Sequence, residues 1–359
     1  MRIALVTESF HPAADGATTT VRSIVDRLVD TGHDVLIVAP TPGPSTYRGR
    51  RAVRVTPGLT GLRKPGREVR DALADFAPDL VHVTNAGAVG RKALKQARRL
   101  GVPTLTVQQS VIAEASDYWR LKVADRSDRL LVTCEWMQGR LDELGVTAPV
   151  WTPGVDVDGF GPQLRDEELH ASWARSRSVD GGRVVVGYVG NLRRGNDVRR
   201  LPEVAEAPGV RLVVIGDGPQ KPWLRMHVPG ARFLGAPSRS ELAIAMASLD
   251  VLVHPGTVET SCHTLREAAA SGVPVIAPAT GGALEAVRHE EGGLLYDPSS
   301  YFGLRDAVTR LAGDPWRRAL MGREARSVAV RRDWATAVDE LVRHHYLPLL
   351  EGERAHRVA

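Results

Sequence analysis

Only two cysteines, Cys134 and Cys262, stand far apart in a chain of 359 residues. They supply neither a disulfide framework nor the paired Cys/His spacing of a zinc site, and they fit a reducing compartment. No apolar run approaches the roughly 18 residues that a membrane-spanning helix needs, and Ile3-Ala4-Leu5-Val6 is too short for the core of a secretory signal. A cytoplasmic location is the expectation. Charge of one sign is scarce too: 47 basic against 42 acidic residues leave +5, too little to imply nucleic-acid binding. With 43% hydrophobic and 25% charged residues, the composition supports neither disorder nor a fibrous repeat. What remains is a folded chain, long enough for two domains at roughly 100–200 residues each.

Short β-branched runs alternate with longer helix-like stretches, the pattern of βα units around a parallel sheet. Arg2 to Thr7 predicts a first strand, followed by a turn-rich loop, His11 to Gly16. Thr18 to Thr31 predicts a helix, because Val21, Ile24, Val25 and Leu28 share one face. Asp34 to Ala39, Leu80 to Val83, Thr104 to Val107 and Leu130 to Val132 continue the strands, with a helix over Arg91 to Leu100. The pattern breaks at the Pro/Gly-rich Thr152 to Asp156 and a polar helical stretch, Asp166 to Arg175. It restarts with strands over Val184 to Val189, Arg211 to Ile215, Ala231 to Leu234, Val251 to His254 and Pro274 to Ala277. A second Rossmann-like half thus follows the first. The division expected is residues 1–160 and 161–334, with an amphipathic final helix near Ala335 to Leu347 able to pack on either half.

The most informative segment runs from His254 to Ala277 as strand, polar loop, helix, Gly272-Val273-Pro274 turn and strand. Its loop therefore lies at the carboxyl edge of a parallel sheet, where such folds bind ligands. A helix starting near Cys262 aims its first N–H groups at that loop, ready for a phosphate. Glu267, polar amid Ala and Leu, is placed to accept ribose hydroxyls. Read alone, Glu259 fits a solvated loop acid equally well, and Glu267 an ion-paired helix residue.

Glu259 and Glu267 enclose seven residues, and with Ala270-Ser271-Gly272-Val273-Pro274-Val275-Ile276-Ala277 and Gly281-Gly282 this string resembles the E-x7-E signature of family 4 retaining glycosyltransferases. The similarity extends through Thr7-Glu8-Ser9-Phe10 with Gly16, Pro78 to His82, Pro153 to Asp156, Gly187-Tyr188-Val189-Gly190 and Ile215 to Pro219. Within the family, the lead-in Ala247 to His254 and a Gln-bearing loop look most like actinobacterial GDP-mannose-dependent α-mannosyltransferases. The resemblance implies a GT-B fold, two Rossmann-like domains with an interdomain cleft and the last helix returning to the first. It implies a hexosyltransferase that needs no metal or cofactor, using a nucleotide diphosphate sugar, GDP-linked by preference, and a small-molecule acceptor. The acceptor belongs either to cell-envelope mannosylation or to an actinomycete antibiotic of aminoglycoside or lincosamide type. By motif position Glu267 holds the ribose, Glu259 sits by the transferred sugar with the amides of Ser261, Cys262 and His263, followed by Thr264, and Gly16 approaches the diphosphate. Gly216, Asp217, Gly218, Phe233 and Leu234 line the base pocket. The leaving phosphate itself is the expected acceptor of the proton, so phosphate stabilisation is the main task left to the protein.

Two positions depart from the family. Where it has Gly-Arg-Leu-x-x-Glu-Lys, whose cations neutralise the diphosphate, this chain reads Gly190-Asn191-Leu192-Arg193-Arg194-Gly195-Asn196. Arg193 and Arg194 either supply guanidinium forks in place of the cations lost at Asn191 and Asn196, or are surface arginines. Gln108 stands where many members carry His, and is either a hydrogen-bonding site residue or a loop-stabilising amide. Asp156-Val157-Asp158 imitates a metal-binding D-x-D, but in the Pro/Gly linker it is not read as a metal site. Residues 48–70 carry eight basic residues, Arg48, Arg50, Arg51, Arg54, Arg63, Lys64, Arg67 and Arg70, against Glu68 alone. They form a solvated basic loop or a patch for an anionic acceptor or membrane surface. The alternatives to a soluble-acceptor transferase are thus a nucleotide-sugar-binding pseudo-enzyme and a membrane-surface transferase acting on a lipid.

Overall fold

The computed structural model describes residues 1–13, 15–56, 65–175 and 182–358. The chain divides into two compact units, Met1–Gly154 with Trp334–Ala359, and Val155–Asp333. The boundary expected at 160/161 moves to 154/155. Val155 donates its N–H to the Arg332 carbonyl at 3.0 Å, and Phe160 is fully buried in the second unit's core, so residues 155–160 belong there.

In the first unit the strands are β1 (Arg2–Thr7), β2 (Asp34–Pro40), β3 (Thr46–Tyr47), β4 (Arg50–Val55), β5 (Leu80–Thr84), β6 (Thr104–Gln108) and β7 (Arg129–Val132). They form one sheet in the order β3-β4-β2-β1-β5-β6-β7, parallel except for the β3–β4 pair. Uninterrupted burial along β1, β2 and β5 is what a sheet covered on both faces requires. The helix Gly16–Asp30 buries Val21, Ile24, Val25 and Leu28 as the spacing predicts, and Asp15 caps it by accepting from the Thr18 N–H at 2.8 Å. Its start lies two residues ahead of the expected Thr18.

Residues 48–70 are not a loop where they are described. They contribute β4 and the start of the helix Pro65–Phe76. Ala52 and Val55 face the core, while the arginines of the same strand find partners on neighbouring elements: Arg50 on Asp34 at 3.0 Å, Arg51 on Asp75 at 2.5 Å, and Arg54 on the Pro40 and Pro44 carbonyls. Arg48 pairs with Asp30 at 2.9 Å, and Arg67 and Arg70 both pair with Asp71. Asp30, Asp34 and Asp75, which lie outside the segment, and Asp71, which directly follows it, thus offset much of a run that looks uncompensated when read linearly. Arg63 and Lys64 lie outside the described residues.

The second unit holds β8 (Val184–Val189), β9 (Val210–Ile215), β10 (Arg232–Gly235), β11 (Val251–Val253), β12 (Val275–Pro278) and β13 (Gly293–Tyr296) in the order β10-β9-β8-β11-β12-β13, all parallel. β13, a four-residue edge strand, was not anticipated; it is too short for its periodicity to show.

The C-terminal segment packs on the first unit. It is not one helix over Ala335 to Leu347: Trp334–Leu341 leads into a π-helical turn, Val342–Tyr346, and then Leu347–Val358. The wide turn buries Tyr346 completely and sets its hydroxyl 2.6 Å from Nδ1 of His82 in β5. Trp151 Nε1 donates to the Ala337 carbonyl at 2.9 Å, and Arg27 Nε to Asp339 at 2.7 Å. Burial lowers His82 to about 3, so its imidazole is neutral.

These two kinds of tether should differ in strength. Tyr346→Phe leaves His82 Nδ1 buried without its partner and should cost about 1–3 kcal/mol. The Arg27–Asp339 pair is a third exposed on each side, and Arg27→Ala should cost under about 1 kcal/mol. Urea denaturation of both variants, followed by tryptophan fluorescence, checks the ranking.

Candidate functional site

Each parallel sheet has one place where successive strands turn to opposite sides, and a crevice opens there above the strands' carboxyl ends. In the second unit this is between β8 and β11. The loop after β8 carries Gly190 to Asn196, and the loop after β11 carries His254 to Cys262.

Backbone contacts bring these loops together with the one after β9. Leu192 donates its N–H to the Asp217 carbonyl at 2.9 Å, and Gln220 donates to the Leu192 carbonyl at 2.9 Å. Gly216 must be glycine, because its φ is +135° and a Cβ would stand 1.9 Å from the Gly190 carbonyl oxygen. Asp197, missed in the sequence, ties the first loop to the third by accepting from the Thr257 N–H and hydroxyl at 3.1 and 2.9 Å. Gly282 donates its N–H to the Glu259 carbonyl at 2.8 Å, which ties the Gly281-Gly282 pair to the same loop.

Glu259 lies over this crevice with 31% of its side chain exposed. Its Oε1 is 2.9 Å from Nε2 of His254, and Oε2 makes no hydrogen bond among the described residues. Burial would raise this carboxyl, but His254 and His263 outweigh it and hold it below the usual carboxylate range. Ser261 and Cys262 are buried, and Cys262 adopts a left-handed conformation (φ +51°) just ahead of the helix His263–Ala270. The first turn of that helix, with His263 and Thr264, therefore opens toward the loop, and its amides give the crevice a positive end.

Glu267, one turn further on, is buried and bonded through Oε1 to Arg239 at 3.2 Å. The ion pair engages one carboxylate oxygen, and Oε2 makes no hydrogen bond among the described residues. Arg239 also reaches Asp156 at 3.3 Å and lies over the Phe160 ring. Burial drives the Glu267 carboxyl up to about 7 despite Arg239.

Asn191 and Asn196 do meet, but through the backbone: Asn196 Nδ2 donates to the Asn191 carbonyl at 2.9 Å, as does the Tyr188 hydroxyl at 3.1 Å. Arg193 and Arg194 are exposed and make no side-chain hydrogen bond or ion pair among the described residues. Asp217 is engaged by Lys221 Nζ at 2.5 Å and by the Gly218 N–H. Phe233 and Leu234 lie in edge strand β10 beside the Gly216 loop, joined to it by the Gly216 N–H on the Gly235 carbonyl. Asp156 is fully engaged by the Gly159 N–H at 2.8 Å and by Arg239, which argues against a D-x-D site there.

The first unit's crevice lies between β1 and β5, with Glu8 after the former and Asn85 after the latter. Gly16 opens its helix at the same sheet edge. Glu8 accepts from the Val89 and Gly90 N–H groups at 2.8 and 2.7 Å, and burial raises its carboxyl nonetheless. Gln108 takes the loop-stabilising role: Oε1 accepts from the Ala86 N–H and Nε2 donates to the Ser110 carbonyl, both at 3.0 Å. Each end of the amide thus braces the loop with one bond, which leaves one N–H and one lone pair of the side chain. Sequence reasoning missed His254, Asp197 and Arg239; His254 alone carried a signal, its place five residues before Glu259.

Comparison with known proteins supplies the context. A family model described as Glycosyltransferase Family 4 matches residues 14–158, and one described as Glycosyl transferases group 1 matches residues 183–314. The chain is 36% identical over 385 aligned positions, covering 100% of both chains, to a GDP-mannose-dependent alpha-mannosyltransferase of Mycolicibacterium smegmatis. It is also 36% identical, over 96% of each chain, to the protein of that description from Mycobacterium tuberculosis. The solved structure of Anabaena Alr3699/HepE in complex with UDP superposes with a TM-score of 0.80 over 95% of this chain and 98% of that one, at 19% identity, a likeness of fold. Two parallel-sheet units of GT-B type, matched at both by family models and at full length by these relatives, identify the chain as a member of the family 4 glycosyltransferases.

Proposed function

We propose that the chain transfers a hexose from a GDP-sugar to a small-molecule acceptor with retention of anomeric configuration and without a metal ion. The observation that carries this reading is the pair Glu259 and Glu267 on either side of a helix N-terminus at the β8/β11 crevice, in a chain 36% identical to GDP-mannose-dependent mannosyltransferases.

Three groups divide the work. Glu267 takes the ribose hydroxyls through Oε2, with Arg239 holding Oε1. The first-turn amides of the helix His263–Ala270 accept the diphosphate and stabilise the charge that grows on it as the glycosidic bond breaks. Glu259, ionised and partly exposed, bonds the hydroxyls of the transferred sugar. The leaving phosphate oxygen takes the acceptor's proton, so no side chain need act as base. Cationic help for the diphosphate falls to Arg193 and Arg194, the exposed guanidiniums of the loop whose Asn191 and Asn196 carry no charge. In the first unit, Glu8 and the Asn85 loop line the acceptor crevice. The local pairing of the described arginines in 48–70 favours a soluble acceptor over an anionic membrane surface.

The uncharged Asn191 and Asn196 also favour a second reading, a protein that binds the nucleotide sugar without transferring it. Incubation with GDP-sugars and a panel of soluble and lipid-linked acceptors separates the two. An α-linked product by NMR supports retaining transfer, an inverted product overturns the mechanism, and tight binding without turnover favours the binder.

Ionised Glu267 is the form that accepts a ribose hydroxyl. With its carboxyl near 7, GDP affinity should fall about tenfold between pH 8 and pH 6. Glu267→Gln should bind GDP more weakly at pH 8 and lose that pH dependence; calorimetric titration reads both. Paired Asn191→Arg and Asn196→Lys should tighten GDP binding by about tenfold, in the range of a charge-assisted hydrogen bond. Unchanged affinity would mean that this loop does not face the diphosphate.

A further inference from the structure

His254 is 4% exposed and directly follows β11, at the start of the loop that carries Glu259. An ionised carboxylate only accepts hydrogen bonds, so the 2.9 Å contact with Glu259 requires the proton on His254 Nε2. The other nitrogen, Nδ1, is buried and has no partner among the described residues. The ring therefore has one polar commitment, and it is to Glu259. Its plane is set from the side by Tyr188, fully buried, whose ring stacks at 6.2 Å and 12°. The Tyr188 hydroxyl is in turn held by the Asn191 carbonyl, to which Asn196 also donates.

We propose that His254 is a positioning residue of the transfer site: it fixes the rotamer of Glu259 by donating to Oε1, and so aims Oε2 at the hydroxyls of the donor's sugar. The inference rests on the reading of Glu259 given above and deepens it. It gives Asn196 a defined task as well, since its amide and the Tyr188 hydroxyl share the Asn191 carbonyl beside the shelf of Tyr188 and His254 on which Glu259 is set. Glu259 reads the sugar and Glu267 the ribose, so a fault at His254 should strike the sugar alone.

The titrating groups that face Glu259 are His254, His263 and Tyr188. Burial pushes the Tyr188 hydroxyl well above its ordinary value, so it stays neutral. Removing His254 leaves His263 alone to favour the carboxylate, and the Glu259 carboxyl must rise. Activity that needs the ionised form is then lost at higher pH on acidification.

His254→Phe keeps a ring against Tyr188 without the donor, and His254→Gln restores a donor at similar reach. With GDP-mannose, His254→Phe should lower kcat about 10- to 100-fold, the scale of a misplaced site group. The affinity for GDP should stay within about threefold, and the acid limb of the pH profile should move upward. His254→Gln should recover most of kcat. Native kcat in His254→Phe, or an equal loss of GDP binding, overturns the proposal. If the unmodified protein turns over no GDP-sugar, the functional reading fails separately, and positioning is then read from the Glu259 carboxyl by carbon-13 NMR titration. A midpoint that rises in His254→Phe supports the inference, and an unmoved midpoint overturns it.

Discussion

A parallel strand can be followed by another only after a crossover on one face of the sheet, and all such strands release their chain at the same edge. That constraint governs both units of this protein. Where the strand order reverses, at β1/β5 and at β8/β11, the two following loops diverge and leave a crevice lined by backbone and helix N-termini. Glu8, Asn85 and Asn191 are the first polar residues after their strands, and Glu259 stands in the loop after β11, behind His254 and Thr257.

Charge in the second crevice is organised by contrast. Glu259, in the loop, is held ionised because two imidazoles outweigh its burial, whereas Glu267, inside the helix His263–Ala270 that follows, is driven up to about 7 by burial that Arg239 only partly offsets. Two carboxylates of one motif thus differ in protonation near neutral pH through environment alone. The helix N-terminus between them adds fixed partial charge that needs no titratable group. A chain that lacks cations at Asn191 and Asn196 retains that backbone charge, because substitution of side chains cannot remove it.

Much of the fold is legible in the residues. Buried parallel strands such as Val184–Val189 are continuous apolar runs, and covered helices such as Gly16–Asp30 repeat their apolar residues at helical spacing. The strands that escape notice lie at or next to the edges: the two-residue β3 with its neighbour β4, interrupted by arginines, and the four-residue β13. Partners in those cases come from elsewhere in the chain, as Asp75 does for Arg51. The π turn at Val342–Tyr346 is hidden for a related reason. It accompanies the Tyr346–His82 hydrogen bond, a contact across 264 positions that amphipathic spacing cannot encode.

The sequence by itself determined the two-sheet architecture, the order of its elements and the loop that bears Glu259 and Glu267, because periodicity and motif spacing are local properties. Tertiary structure decided what those residues touch. It paired Glu267 with Arg239, set His254 behind Glu259, bonded Gln108 to the backbone and set Asp30, Asp34 and Asp75 against arginines of a basic segment. Such choices depend on burial and on the approach of loops that are neighbours only in space, and no linear pattern carries that information.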